Sequence, residues 1–157
     1  MITQVQILDA INDLTADCFP GRVTYRDAWP EQFERPSLFL VAEKKEIIGG
    51  NRCTVEYRQV FGVQINDTVD AHYEADTDRL STETDQVVLA LAEGVLHTGD
   101  RALHIDKVET AREGAAAIVK MTLHWFDDRP VRQGAQPPIA RGVEVTTEIK
   151  NNGGGTA

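Results

Sequence analysis

The chain has 157 residues, and its 25 acidic side chains outnumber 16 basic ones to give a net charge of −9. This length fits one domain with a single core, and the acidic balance argues against a protein that grips nucleic acid or an anionic membrane. No apolar run approaches the roughly 18 residues of a membrane-spanning helix, and the first residues lack the pattern of a signal peptide.

A helix is predicted over residues 3–17. Its predicted buried stripe consists of Val5, Leu8 and Ile11. Thr3 and Gln6 have the spacing of a capping box, in which each side chain satisfies the other residue's free backbone N–H. Pro20-Gly21 is expected to end this helix, and residues 22–26 are predicted as a short strand.

A loop with two large aromatic side chains follows at residues 27–36. Trp29 and Phe33 either fold back onto the core or meet another subunit. These two residues and the neighbouring Arg35 are therefore candidates for a subunit or partner interface.

Residues 37–45 and 52–65 are predicted as a long β-hairpin around Gly49-Gly50. The second strand alternates strictly, with Gln59 as the only polar interruption of its apolar face. The apolar face carries Cys53, Val55, Tyr57, Phe61, Val63 and Ile65. The polar face carries Arg52, Thr54, Glu56, Arg58, Gln64 and Asn66. A period of two predicts one buried face and one wet face.

The length of this second strand favours an assembly component over an enzyme. At ~3.3 Å per residue it spans about 45–50 Å, so it is expected to reach outside its own small domain. Arg52, Glu56 and Arg58 on its polar face are further interface candidates. Cys53 is predicted to be a small core residue, and the absence of C-x-x-C spacing predicts that both cysteines are reduced thiols.

An acidic connector, Asp67–Asp78, leads to a second predicted helix, Thr77–Glu93. The connector lacks the ligand spacing of an EF-hand loop, so a solvated connector is favoured over a calcium site. The predicted buried stripe of the helix consists of Leu80, Thr84, Val87, Val88 and Leu91. Gly94 lies where a left-handed residue is favoured after a helix.

A second hairpin is predicted from residues 101–110 and 115–126. One register places apolar pairs on one face and polar pairs on the other. The pairs of that register are Leu103 with Leu123, Ile105 with Met121, Asp106 with Lys120, and His104 with Thr122.

Three side chains of this hairpin could in principle bind a metal: His104, Asp106 and His124. Such a site needs close ligands and an outer shell of supporting groups, which the sequence does not reveal. An exposed polar sheet face with an Asp–Lys pair is therefore the favoured interpretation, with no metal, catalytic or cofactor site. The chain also lacks phosphate-loop, dinucleotide-binding and nucleophile-elbow motifs, which lowers the expectation of an enzyme.

The composition changes at Asp127, which predicts a domain over residues 1–126 and an extended C-terminal arm over residues 127–157. Within the proline- and glycine-containing arm, residues 142–149 alternate again. We expect three apolar residues there to dock on a neighbouring protein by β-augmentation: Val143, Val145 and Ile149. A flexible extension is the alternative.

The order of helix, short strand, long hairpin, helix and hairpin resembles the phage tail terminator (tail completion) proteins. The similar segments are residues 7–14, Phe33-Glu34-Arg35-Pro36-Ser37-Leu38-Phe39, Gly50-Asn51-Arg52, and residues 102–108 with 117–126. The arm is longer, and the closing strand less aromatic, than that family leads one to expect. A sister neck or head–tail adaptor component of the same fold therefore stays open.

The resemblance implies an α+β subunit whose mixed sheet carries two helices on one face. It implies a structural virion protein, assembled in the host cytoplasm, that forms a ring, typically of six copies, on the head-proximal end of the tail tube. The implied partners are its own copies, the tube protein, a neck or connector protein and, in contractile tails, the sheath protein. No catalysis, cofactor or membrane contact is expected.

In such a ring DNA would pass through the channel without specific binding, and an acidic wall would repel it. The candidate channel-facing residues are Glu56, Asp67, Asp70 and Glu74. Two readings from other classes remain open at this stage. One is a small metal-dependent or acid–base enzyme built on the two histidines and the aspartate of the second hairpin. The other is a monomeric tail assembly factor.

Overall fold

A computed structural model describes residues 1–130 of the chain. The elements in chain order are α1 (Gln4–Cys18), β1 (Val23–Arg26), β2 (Ser37–Gly50), β3 (Thr54–Asn66), α2 (Thr77–Leu91), β4 (Val95–Thr98), β5 (Arg101–Glu113) and β6 (Ala116–Asp128).

The six strands form one mixed sheet in the order β1-β2-β3-β6-β5-β4. β1 runs parallel to β2, and the other neighbours are antiparallel. The core joins both helices to one face of this sheet, so the predicted α+β class with a mixed sheet is confirmed. Neither helix of the described residues is long and apolar enough to cross a membrane.

The alternation predicted for β3 is confirmed in the core. The buried residues of its apolar face are Val55, Gln59, Phe61, Val63 and Ile65. Nε2 of the Gln59 side chain donates to Gln4 Oε1 at 2.9 Å, which ties the sheet to α1, whereas Gln59 Oε1 has no hydrogen-bond partner among the described residues. The prediction that Cys53 is a core residue is wrong. It lies in the turn before β3, where Asn51 Oδ1 accepts the backbone N–H of Cys53 at 2.8 Å.

Both helices form where the sequence predicts them, but the buried face of α1 differs. The capping box of Thr3 and Gln6 is present. Val5 is 61% exposed, so its assignment to the core is wrong. The buried residues of α1 are Ile7, Leu8, Ile11 and Thr15. Ile7, Ile11 and Thr15 follow one another at intervals of about one helical turn, so they share the inward face.

In α2 the predicted apolar stripe is largely correct. Leu80, Val87 and Leu91 are buried, whereas Thr84 and Val88 are only partly buried. Gly94 has the expected positive φ of 83°. The sequence reading missed Glu83, a carboxylate that is buried on the inner side of this helix.

The register predicted for the second hairpin is wrong, although the faces are right. Ile105 lies opposite Leu123, and Val108 lies opposite Met121. The hairpin turns at residues 114–115, and a β-bulge lies between Ile105 and Lys107. Before the bulge, the observed register differs from the predicted one by two residues, and a shift of two keeps every side chain on its face. At the bulge, one further residue of β5 has no partner on β6. The apolar side therefore stays buried while every predicted partner changes.

The folded body extends past the predicted domain boundary at residue 126, because β6 runs to Asp128. Asp127 is buried and accepts hydrogen bonds from the Ile2 backbone N–H at 3.2 Å and from Trp125 Nε1 at 3.1 Å. It also pairs with Arg101. Burial raises the pKa of the Asp127 carboxyl, but these donors outweigh it and hold the pKa below its usual range.

Asp127→Ala is expected to lower the free energy of unfolding at pH 7 by about 2–3 kcal/mol, because buried donors lose their acceptor. Asp128→Ala, at the exposed next position, is the control and should change stability by less than about 0.5 kcal/mol. Urea unfolding measures both.

Because the folded pKa of Asp127 is lowered, this stabilisation is present above the unfolded pKa of about 3.9. It is lost as pH falls through the lower folded value, so the Asp127→Ala deficit should shrink towards pH 2. Equal losses in the two variants would contradict the assignment.

Candidate functional site

The sheet has two outer edges, and at each edge a short strand covers only part of the long strand beside it. β1 pairs with residues 37–40 of β2, which leaves residues 41–50 without an outer strand within the described part of the chain. β4 pairs with residues 101–104 of β5, and the Ile105 backbone N–H donates to the Gly94 carbonyl oxygen, which leaves residues 106–113 similarly open among residues 1–130. Unpaired backbone N–H and C=O groups of this kind are a template for pairing with another chain.

These two open edges lie at opposite ends of the sheet as well as on opposite sides. Gly50 pairs with Val55, which in turn pairs with Asp127, so the open β2 edge lies at the end of the sheet that contains Asp127. Glu113 pairs with Ala116, whose other partner is Asn66, so the β5 edge belongs to the other end. The subunit therefore has two different edges in a diagonal arrangement.

The end of the long hairpin next to the open β2 edge exposes apolar side chains. Ile47 and Ile48 are exposed there. Gly50 closes the turn with a φ of 129°, and a Cβ at this position would lie 2.3 Å from the Thr54 carbonyl oxygen. Arg52, an interface candidate, is exposed in the same turn, and Glu56 is half-buried on β3.

The aromatic loop before β2 folds back onto the protein, which is one of the two predicted outcomes. Trp29 stacks on Phe39 with ring centroids 4.4 Å apart and contacts Phe33 at 4.6 Å. The Arg35 guanidinium lies 4.9 Å from the Phe33 ring centroid and donates to the Asp67 carbonyl oxygen at 3.0 Å. These interface candidates therefore already have partners within the subunit, although Trp29 is still 38% exposed.

The acidic connector uses its carboxylates to hold the backbone. Asp67 is fully buried and pairs with Arg79 at 3.1 Å, so the prediction that Asp67 faces a channel is wrong. Asp70 Oδ1 accepts the backbone N–H groups of His72 and Glu74 at 2.7 and 3.0 Å. Asp76 caps α2. Glu74 is exposed and stays a channel candidate, as do Asp70 and Glu56.

A polar cluster lies on the sheet face opposite the helices, and we call its members His104, Asp106, His124 and Arg58 the imidazole–carboxylate cluster. Asp106 Oδ1 lies 2.6 Å from His124 Nδ1 and 3.1 Å from His104 Nδ1. Arg58 Nε donates to the other oxygen, Asp106 Oδ2, at 3.2 Å. In residues 1–130, this is the one place where three His, Cys, Asp or Glu side chains have metal-ligand spacing.

The observed register creates this cluster. His104 lies directly opposite His124, rather than opposite Thr122 as predicted. The predicted pair of Asp106 with Lys120 is also wrong, because Lys120 pairs with Glu43 at 2.9 Å. The sequence reading missed Arg58 as a partner of Asp106, since no sequence signal places β3 beside β6.

The three donors keep Asp106 ionised. Burial raises the pKa of this carboxyl, but hydrogen bonds from His124, His104 and Arg58 outweigh it and hold the pKa below its usual range. The site is open to solvent, with 60% of the His104 side chain exposed. The cluster is thus a fixed anion beside two imidazoles on an open surface, a set of groups that can bind a cation.

The three predicted arm residues Val143, Val145 and Ile149 lie outside the described residues.

No family model matches the chain, and no curated protein matches it. Among the solved structures that match, one is similar over 83% of this chain and 99% of its own, with 16% identity and a TM-score of 0.44. A likeness at this level supports no conclusion about function.

Proposed function

We propose that the chain is a structural subunit of a phage tail, a tail terminator that assembles as a ring on the head-proximal end of the tail tube. The observation that carries this proposal is the pair of different open strand edges on opposite sides of one continuous sheet. We infer a tail terminator in particular from a sequence likeness to that family, which lies in Phe33-Glu34-Arg35-Pro36-Ser37-Leu38-Phe39.

Two different edges lead to a head-to-tail contact between copies. The β2 edge of one subunit can add to the β5 edge of the next, which extends the sheet across the boundary. A heterologous contact repeated by rotation gives either a closed ring or an open filament. Closure into a ring pairs the open β2 and β5 edges of every copy, which suits a protein that must end a tube rather than continue it. The resemblance to tail terminators suggests six copies.

The β2 edge is also protected against uncontrolled pairing. β2 has two irregularities in its register, between Ala42 and Lys45 and between Ile47 and Gly49. Charged side chains cluster at the first of them, including Lys44 and Glu46. Bulges and charges of this kind discourage spontaneous strand addition. We therefore expect the isolated chain to be monomeric and the ring to form on the tube end as a template.

The ring would contact the tube protein on one side and a neck or connector protein on the other, with sheath protein as a further neighbour in a contractile tail. Genome DNA would pass through it without specific binding. Glu56, Asp70 and Glu74 are the acidic residues that this proposal retains for the channel wall. The arm after residue 130 would dock on one of these neighbours.

A cross-linking experiment tests the ring. In a Cys18→Ser/Cys53→Ser background, Lys44→Cys and Glu109→Cys place one thiol near the middle of each open edge. The middles of two paired edges meet whichever way the strands run. A short bis-maleimide should therefore link neighbouring copies on assembled tails into a ladder that ends at the ring number.

The matched control combines Lys44→Cys with Asp17→Cys, since Asp17 is exposed on α1 and its groove neighbours, such as Ala90 and Glu93, belong to neither open edge. This pair should give no ladder. A ladder from both pairs would contradict the assigned edges. A single uncross-linked copy per tail would instead support a monomeric assembly factor.

A further inference from the structure

We propose that His104, Asp106 and His124 bind one divalent transition-metal ion, such as Zn²⁺, on the open face of the sheet. Two of the side chains lie directly opposite each other on β5 and β6, with ring centroids 4.9 Å apart. The third stands at the β-bulge of β5, where the extra residue lets its carboxylate reach both imidazoles.

The three ligand atoms lie within reach of a single zinc ion. Bonds of about 2.0–2.2 Å in a tetrahedral site place neighbouring ligand atoms about 3.3–3.6 Å apart. The imidazole-to-carboxylate distances are 3.1 Å for His104 and 2.6 Å for His124, and all three donor atoms lie within 4.8 Å of one another. Binding would replace the two imidazole–carboxylate hydrogen bonds, because a ligating Nδ1 carries no proton and the neutral ring then carries its proton on Nε2. Rotations of the side chains would admit the ion, and the exposed His104 ring has room to make them.

The surrounding residues orient the donors as outer-shell partners do in metal sites. Arg58 holds Asp106 Oδ2 at 3.2 Å, which leaves Oδ1 directed at the two imidazoles. Phe126 packs edge-on against the His124 ring with centroids 6.0 Å apart. The hydrogen bond from Arg58 is the kind of outer-shell contact that fixes the orientation of a ligating group. The positive charge of Arg58 opposes a bound cation, so we expect moderate rather than very tight affinity.

The donor set also selects the kind of ion. Two imidazoles and one carboxylate suit Zn²⁺, Ni²⁺ or Cu²⁺, whereas Mg²⁺ and Ca²⁺ prefer oxygen ligands. Three protein ligands leave a fourth position for water. This site does not depend on ring formation, so its test uses the isolated full-length chain.

Isothermal titration of the chelator-treated protein with ZnCl₂ at pH 7.5, in excess Mg²⁺, should show one ion bound per chain. His104→Ala and Asp106→Asn should each weaken zinc binding by at least about tenfold. Both residues lie on the open face, outside the core, and circular dichroism would verify that the variants stay folded.

Two control variants separate the cluster from other zinc-binding side chains. His97→Ala removes an exposed imidazole beside Glu93, and Cys53→Ser removes the exposed thiol. Both should retain the wild-type affinity. The proposal is overturned if the wild-type chain binds no zinc under these conditions. It is equally overturned if the controls lose binding while His104→Ala and Asp106→Asn keep it.

Discussion

Arg22→Met is expected to lower the free energy of unfolding by about 3–5 kcal/mol, because it leaves a carboxylate buried without its main partner. Arg22 donates to both oxygens of Glu83, at 3.0 and 2.7 Å, and each of the two side chains is only 9% exposed. The guanidinium also lies 4.4 Å from the Phe19 ring centroid. Arg79 approaches Glu83 at 3.6 Å, but its largely exposed side chain is a weak substitute.

The control for this prediction is Arg26→Met. Arg26 pairs with Asp9 at 2.7 Å, but the two side chains are 31% and 58% exposed. An exposed pair contributes about 0–1 kcal/mol, so this variant should unfold close to the wild-type midpoint in urea.

A double variant separates the loss of the ion pair from the loss of packing. Arg22→Met combined with Glu83→Met removes both buried charges, and an apolar replacement of a buried pair is often neutral or stabilising. We expect the double variant to be clearly more stable than Arg22→Met alone. Additive losses from the two single variants would show that the pair is not coupled in the way its geometry indicates.

Leu91→Ala is expected to lower the free energy of unfolding by about 2–5 kcal/mol, the usual range for a leucine removed from a packed core. Leu91 is 2% exposed and belongs to the cluster that joins α2 to the sheet. Truncation removes its contacts and leaves a cavity that the surrounding strands cannot fully close.

Leu89→Ala is the matched control, since Leu89 is on the same helix and is 76% exposed. The helix propensities of leucine and alanine are similar, so this change should stay within about 0.5 kcal/mol. Chemical denaturation of both variants measures the difference. Similar midpoints would mean that the inward face of α2 has been assigned wrongly.

The amino-acid sequence by itself determined the features that depend on near neighbours. The capping box of Thr3 and Gln6 marked the start of α1, and Gly94 marked the end of α2. Alternation identified the buried face of β3, because a period of two fixes which side chains share a side. The apolar side of the second hairpin was also correct, since a register shift of two residues leaves the faces unchanged.

The tertiary structure alone decided which strands meet and in what register. Asp106 reaches Arg58, 48 positions away, because β6 inserts between β3 and β5, and no local pattern encodes that order. The β-bulge that places Asp106 against His104 and His124 is an irregularity in the pairing of β5 with β6, so neither strand encodes it alone. Asp67 is predicted to belong to an acidic channel wall, yet its carboxylate is buried and pairs with Arg79 of α2. Local chemistry sets the faces of each element, whereas long-range packing sets which side chains share a site.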